Sequence, residues 1–310
     1  MSDKNFYNKN LIDEILKLKK EKNAIILAHN YQRPEIQDIA DFVGDSLGLS
    51  IQASETDKDI IIFCGVDFMA ETAKILNPSK KVILPEKAFC PMAMMLSPED
   101  IINLKKKFPN APVVLYVNTL ASCKALADYC CASGNAIKVV NSIDSNEIIF
   151  GPDKNLADYV QKHTNKKIIP VHEFGYCPTH HQISVNDVIY AKNKYKNALF
   201  IAHPETTQEV QKYADYVGST EQLVEFVKNC DNKEFIIGTE NGIIHRLYKE
   251  TKGEDKKFYP VSEMTICPNM KMITLESVYR ALKDEIYEII LNEEILEKAR
   301  LAIERMIKII

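Results

Sequence analysis

The stretch ILAHNYQRPEIQDIADFVGDS, residues 26–46, returns 87 positions later as VVLYVNTLASCKALADYCCAS (113–133) and again as FIAHPETTQEVQKYADYVGST (200–220). His29, Tyr116 and His203 fall in register, as do Asp41, Asp128 and Asp215, and Ser46, Ser133 and Thr220. Three Cys-Pro pairs, at Cys90, Cys177 and Cys267, keep the same phase, with separations of 87 and 90 residues. The chain is therefore a threefold internal repeat with one such cysteine per copy. Eight cysteines and thirteen prolines in 310 residues would produce roughly one Cys-Pro pair in every three chains by chance, so three at equivalent places are not accidental.

Within each copy, short apolar strands alternate with helices. The first copy reads as a strand at Ala24 to Ala28, a helix around Glu35 to Val43 and a second helix opening at Ser46. A buried strand at Ile60 to Phe63 follows, then a helix at Phe68 to Leu76 stopped by Pro78, then a strand at Val82 to Leu84. The order repeats through Val113 to Val117, Asp128 to Ser133, Ile148 to Phe150 and Ile168 to Val171, and through Leu199 to Ala202, Tyr216 to Thr220, Phe235 to Ile237 and Phe258 to Val261. Uninterrupted apolar strands between helices are the pattern of a parallel sheet covered on both faces. The expected fold is α/β: three Rossmann-like αβα lobes at 24–110, 111–197 and 198–274, related by pseudo-threefold symmetry around a central cluster site.

Leu11, Ile15 and Leu18 recur at helical spacing, so residues 1–23 are read as an amphipathic opening helix. Residues 275–310 are read as helices that brace the lobes, with no further strand and a restart capped at Asn292. The charged segment Lys249 to Lys257 accounts for the longer last interval and is expected to be a surface loop. With 39 basic and 43 acidic residues and no basic block interleaved with aromatics, a nucleic-acid partner is not expected. The absence of a long apolar run or a leader pattern at Met1 to Asn10 predicts a soluble, cytoplasmic protein without a membrane partner. Cysteines in that compartment are expected to be reduced, metal-bound or catalytic.

In parallel α/β lobes, ligands gather at the carboxyl ends of strands. There stand His29, Asn30 and Tyr31 in the first copy, Tyr116 and Asn118 in the second, and His203 and Glu205 in the third. One histidine in such a place is ordinarily structural; recurrence in register raises this set above that reading. Together these side chains could polarise a carbonyl, move protons and hold carboxylates. Ser46, Ser133 and the pair Ser219 and Thr220 each stand at a helix start, where a hydroxyl serves as an N-cap or helps to hold an anion.

The three register cysteines admit a zinc ion with a water, although the close C-x-x-C pairs typical of zinc are absent. They also admit a cuboidal 4Fe-4S cluster with three irons ligated and the fourth open as a Lewis acid. Cys64, Cys123, Cys130, Cys131 and Cys230 lack the register and read as small apolar or incidental residues.

Taken together, AHNYQ (28–32), GDSL (44–47), FMAET (68–72), YVN (116–118), AHPE (202–205), GST (218–220), GTE (238–240) and CPNM (267–270) resemble quinolinate synthase across residues 24 to 280. The resemblance implies a three-lobed enzyme of de novo NAD biosynthesis that condenses iminoaspartate with dihydroxyacetone phosphate to quinolinate, phosphate and water. It implies a 4Fe-4S cluster on Cys90, Cys177 and Cys267, with the open iron assisting dehydration. His29, Ser46, Ser133, His203, Ser219 and Thr220 would hold carboxylates and phosphate, Asn118 would line the pocket, and Tyr31, Tyr116 and Glu205 would transfer protons. An oxidase that produces the unstable iminoaspartate is the partner this implies. Phe89, Met94, Asp67 and Cys123 depart from the family pattern; none is expected to touch a ligand, so they bear on local loop packing more than on activity. An iron-sulfur reductase of the same threefold build, such as a hydroxymethylbutenyl diphosphate reductase, lacks these local motifs. A cluster-bearing redox sensor would need an added partner-binding module.

Overall fold

A computed structural model describes residues 2–309, with side chains from residue 9 onward. The described residues form three four-stranded sheets. The first holds β1 (Ala24–His29), β2 (Phe42–Gly44), β3 (Ile60–Cys64) and β4 (Lys81–Ile83). β5 (Val113–Tyr116), β6 (Tyr129–Cys131), β7 (Glu147–Gly151) and β8 (Lys167–Pro170) make the second. β9 (Leu199–Ala202), β10 (Tyr216–Val217), β11 (Glu234–Gly238) and β12 (Lys257–Pro260) make the third. The strand orders are β2-β1-β3-β4, β6-β5-β7-β8 and β10-β9-β11-β12, so the connectivity is the same in each lobe. Every pairing is parallel.

Alternation along the first strand of each lobe divides the apolar residues between two layers. Leu27, Val114 and Ile201, which are in register, enter one core shared by all three lobes. Their neighbours turn outward into three separate cores: Ile26 and Ala28 with Leu11, Ile15 and Val278; Val113 and Leu115 with Leu96 and Ile101; Phe200 and Ala202 with Val188 and Val210. A shared inner core makes the lobes parts of one folding unit.

The aspartates noticed in register have a structural role. Asp41, Asp128 and Asp215 each accept the backbone N–H at the start or middle of the adjacent strand, from Ile26, Val113 and Phe200 at 2.8, 2.8 and 2.7 Å. Their own N–H groups return bonds to the carbonyls of the same residues. This clamp explains one departure from expectation. The predicted helix over 35–43 stops at Ile39, and Phe42–Gly44 instead pairs with β1 as an edge strand.

A second clamp recurs with different side chains. Gln37 and Gln211 send Nε2 to the carbonyls of Gln32 and Thr206 at 2.9 and 2.7 Å, and Lys124 sends Nζ to the equivalent carbonyl of Thr119. Each bond closes the loop that leaves the first strand. Lys124 is fully buried, also donates to Phe68 O at 3.3 Å, and lies over the Phe68 ring. Burial lowers its ammonium pKa, and Glu71 opposes that shift. Lys124→Met should cost about 1–3 kcal/mol by leaving buried carbonyls without a donor. The denaturant midpoint reports it, and an unchanged midpoint would show that the clamp contributes nothing.

Helix Ser2–Glu21 packs Leu11 and Ile15 against helix Leu275–Asp284. The C-terminal segment departs from a purely helical reading. Between Leu275–Asp284 and Glu293–Lys308 the chain is extended and bridges Glu288 to Ile83 on the edge of the first sheet, with Ile289 N–H donating to Val82 O at 2.8 Å. Asn292 caps the last helix, accepting from Glu294 N–H at 2.9 Å. That helix buries Ala299, Ala302, Ile303 and Met306 in the shared core. Arg300 reaches the Ile75 carbonyl at 3.3 Å and Arg305 the Asp128 carbonyl at 2.6 Å, so the helix ties lobe 1 to lobe 2.

The charged segment 249–257 is only in part a loop. Helix Ile243–Glu250 runs into it, Lys257 begins β12, and the Lys256 side chain is buried with Nζ donating to Val227 O at 2.6 Å. No helix among the described residues is long and apolar enough to cross a membrane.

Candidate active site

The strand-end loops of all three lobes face one cavity of about 130 Å³. It is lined by every predicted site residue except Ser219: Cys90, Cys177 and Cys267; His29, Tyr31, Ser46, Tyr116, Asn118, Ser133, His203, Glu205 and Thr220. No lysine or arginine is among the described lining residues. An anion there would meet neutral donors and helix starts.

The hydroxyls at the helix starts divide into two kinds. Ser219 is the N-cap of helix Thr220–Asn229, accepting from Gln222 N–H at 3.3 Å while Gln222 Oε1 accepts Ser219 N–H at 2.9 Å. Helix Ser46–Glu55 is capped one residue earlier than expected, by Asp45, which accepts Gly48 N–H at 2.9 Å. That leaves the Ser46 hydroxyl to the cavity. Thr220 Oγ1 accepts from Asn30 Nδ2 at 2.8 Å, and Asn30 Oδ1 accepts from Arg246 at 2.7 Å. Ser133 precedes its helix and lies 3.2 Å from His203 Nε2.

Glu205 is the hub of the polar set. Its carboxylate lies 2.7 Å from His180 Nδ1 and accepts from Asn118 Nδ2 at 3.3 Å, with Tyr116 as a further hydrogen-bond partner. Burial alone would raise its pKa, but the His180 and His203 imidazoles and the bonds from His180 and Tyr116 outweigh it and hold the carboxyl below its usual range. Burial raises the phenols of Tyr31 and Tyr116 well above their ordinary value, and the Glu205 charge adds to it. Tyr31 Oη is 2.6 Å from Thr239 Oγ1 and 3.3 Å from His180 Nε2. The Asn118 carbonyl oxygen is buried without a partner at the cavity wall.

Burial lowers His29 and His203 to about 3, so both imidazoles are neutral at pH 7. Each has Nδ1 fixed as an acceptor for a backbone N–H two residues on, at 3.2 and 3.3 Å, which leaves Nε2 as the N–H donor. A folded pKa below the unfolded value contributes stability above about pH 6.5 that is lost as pH falls toward 3. Each such histidine steepens the fall by about 1.4 kcal/mol per pH unit in that window. Urea unfolding of His203→Gln should show a shallower acid loss than wild type. Equal slopes would show that His203 takes up a proton freely in the folded chain.

Comparison with known proteins gives the chain a family. The pattern of the family described as NadA, Quinolinate synthetase A protein, matches residues 13–308. A protein of Methanocaldococcus jannaschii named quinolinate synthase is 54% identical over 303 residues, 96% of this chain and 99% of its own. Proteins of the same name from Pyrococcus abyssi and Thermotoga maritima are 53% and 52% identical over 300 residues, with 96% of this chain and 99% of each relative covered. The chain belongs to the quinolinate synthetase A family.

Membership of the quinolinate synthetase A family makes the chain an enzyme. Its site contains two residues that sequence reasoning passed over, His180 and Thr239. His180 has its Nδ1 3.1 Å from Cys177 Sγ and its Nε2 2.8 Å from Thr239 Oγ1, and it stacks on His203 at 4.8 Å. Donor atoms of Cys177, His180 and Glu205 all lie within 4.8 Å of one another, a group able to hold a metal ion. Thr239 lies directly after β11 and joins His180 to Tyr31. Asp67 is not confined to loop packing, because its carboxylate accepts the Cys90 N–H at 3.0 Å.

Proposed function

We propose that the chain is a quinolinate synthase that condenses iminoaspartate with dihydroxyacetone phosphate to quinolinate, phosphate and water, with a 4Fe-4S cluster on Cys90, Cys177 and Cys267. The observation that carries this reading is the single cavity in which three thiols and the acid–base set around Glu205 face one another. The name shared by the relatives supports it.

The thiols fit such a group. All three are half-buried free cysteines whose pKa burial pushes up, so without a cation they would stay protonated. Charge on Cys267 acts on both of the others, which marks the three as neighbours. Three soft donors with no fourth cysteine in the lining suit a cluster that keeps one iron open. When bound, it would supply a Lewis acid for a substrate oxygen or nitrogen and assist loss of water.

The chain's own residues would do the rest. Ser46 and Thr220, at the first turns of ten-residue helices, together with Ser133, offer hydroxyl and backbone N–H donors to carboxylates and phosphate. Neutral His29 and His203 add Nε2–H donors. Glu205, held ionised, takes a proton through Tyr116, while Tyr31 returns one along the Thr239 and His180 bonds. The unstable imine implies an oxidase as its source, and reduced thiols suit a cytoplasmic setting.

A single divalent ion on Cys177, His180 and Glu205 is the second reading, favoured by their close donors. Anaerobic loading with iron and sulfide, followed by assay of pyridine dicarboxylate from the two substrates, tests both. Product with matched iron and sulfide supports the first reading. Zinc without sulfide supports the second, and no product from a fully loaded cluster would overturn the functional proposal.

A further inference from the structure

The three cysteine loops are held from behind by a set of carboxylates. Asp67, Asp153 and Glu240 stand just past the third strand of each lobe, after β3, β7 and β11. Asp67 Oδ1 accepts the Cys90 N–H at 3.0 Å, Asp153 Oδ2 accepts that of Cys177 at 3.2 Å, and Glu240 Oε1 accepts that of Cys267 at 3.1 Å. Asp153 and Glu240 are fully buried. Each carboxylate also holds its own loop, through the N–H groups of Phe68, Leu156 and Gly242 at 2.8, 2.6 and 2.6 Å. One side chain therefore fastens a cysteine to the end of a central strand.

We infer that Asp67, Asp153 and Glu240 are positioning residues that set the three cluster cysteines through their backbone amides. The inference rests on the cluster assignment above. An amide group beside a metal ligand has two common partners, a sulfur of the centre or a protein acceptor, and here the acceptor is built into the fold at all three places. With the amide fixed, the torsion that carries Sγ has one free end fewer, so the three sulfurs enter the cavity already oriented.

The three carboxylates differ in a way that a test can use. Asp153 and Glu240 use one oxygen for the cysteine amide and the other for their own loop, so an amide in their place sets an NH₂ group against an N–H donor. Asp67 uses a single oxygen for both bonds, and asparagine keeps that oxygen. Asp153→Asn and Glu240→Gln should therefore behave alike, with Asp67→Asn milder and Asp67→Leu as severe as they are. Asp128→Leu is the control, since it removes the same kind of carboxylate-to-amide bond, to Val113 N, away from the cysteines.

The measurements are iron release to a ferrous chelator from reconstituted protein, under conditions where circular dichroism shows every variant folded, and the electron paramagnetic resonance g-values of the reduced cluster. Release should be about 10- to 100-fold faster in Asp153→Asn, Glu240→Gln and Asp67→Leu, with altered g-values. Asp67→Asn and Asp128→Leu should stay near wild type in both. Wild-type release and g-values in the first three would overturn the inference, as would equal acceleration by Asp128→Leu, which reports general loosening. A wild-type chain that takes up no iron and sulfide would instead overturn the cluster assignment itself.

Discussion

Cys177→Ala, loaded anaerobically with iron and sulfide, should retain neither at the wild-type level and should make no pyridine dicarboxylate. Cys90→Ala and Cys267→Ala should match it, because each removes one of three thiolates and no other cysteine lines the cavity to replace it. Cys230→Ala should keep the full iron content and turnover, since that half-buried thiol lies beside Tyr216 and Phe226, away from the site. Metal analysis and single-turnover product formation read both outcomes. Product from Cys177→Ala would remove that cysteine from the ligand set, and an iron loss in Cys230→Ala equal to that in the other three would show that the assay reports folding.

Glu205→Gln should retain its cluster and lose about 10²- to 10⁴-fold in kcat, the span of a lost acid–base group. Glutamine keeps the volume and can still accept from Asn118 and Tyr116, but it carries no charge beside the His180 imidazole 2.7 Å away and cannot take up a proton. Tyr116→Phe should cost a similar factor, and the double variant should cost little more than either, because the two act as one relay. Wild-type turnover in Glu205→Gln would sink the assignment. Strict additivity of the two losses would separate the residues into independent roles.

Much of this was readable in the chain because the repeat keeps its phase. The strands, their parallel order and the convergence of His29, Tyr116, His203 and the Cys-Pro pairs all follow from an 87-residue shift and from the apolar runs. What escaped did so for physical reasons. His180 has Ala93 and Met270 at its equivalent places, so register could not mark it; its position three residues after Cys177 on a short helix, and hence on the same face, was the available signal. Asp67, Asp153 and Glu240 are spaced by 86 and 87, one residue out of phase in the first interval. Lys124 was hidden because a lysine and two glutamines make the same bond, so the geometry is repeated where the identity is not. Ser46 looked like a cap until the adjacent Asp45 took that role.

The last helix, Glu293–Lys308, gives the molecule an unequal build. Its described hydrogen bonds to the rest of the chain run to Ile75, Asp128 and Asn135, all in lobes 1 and 2, and none reaches lobe 3. Lobes 1 and 2 thus share a splint. Lobe 3 meets lobe 1 through bonds such as Arg246 to Asn30, Lys271 to Tyr31 and His245 to Asp38. Lobe 3 depends instead on side-chain bonds along a seam that runs beside Tyr31 and Thr220, where lobes 1 and 2 have a helix laid across theirs.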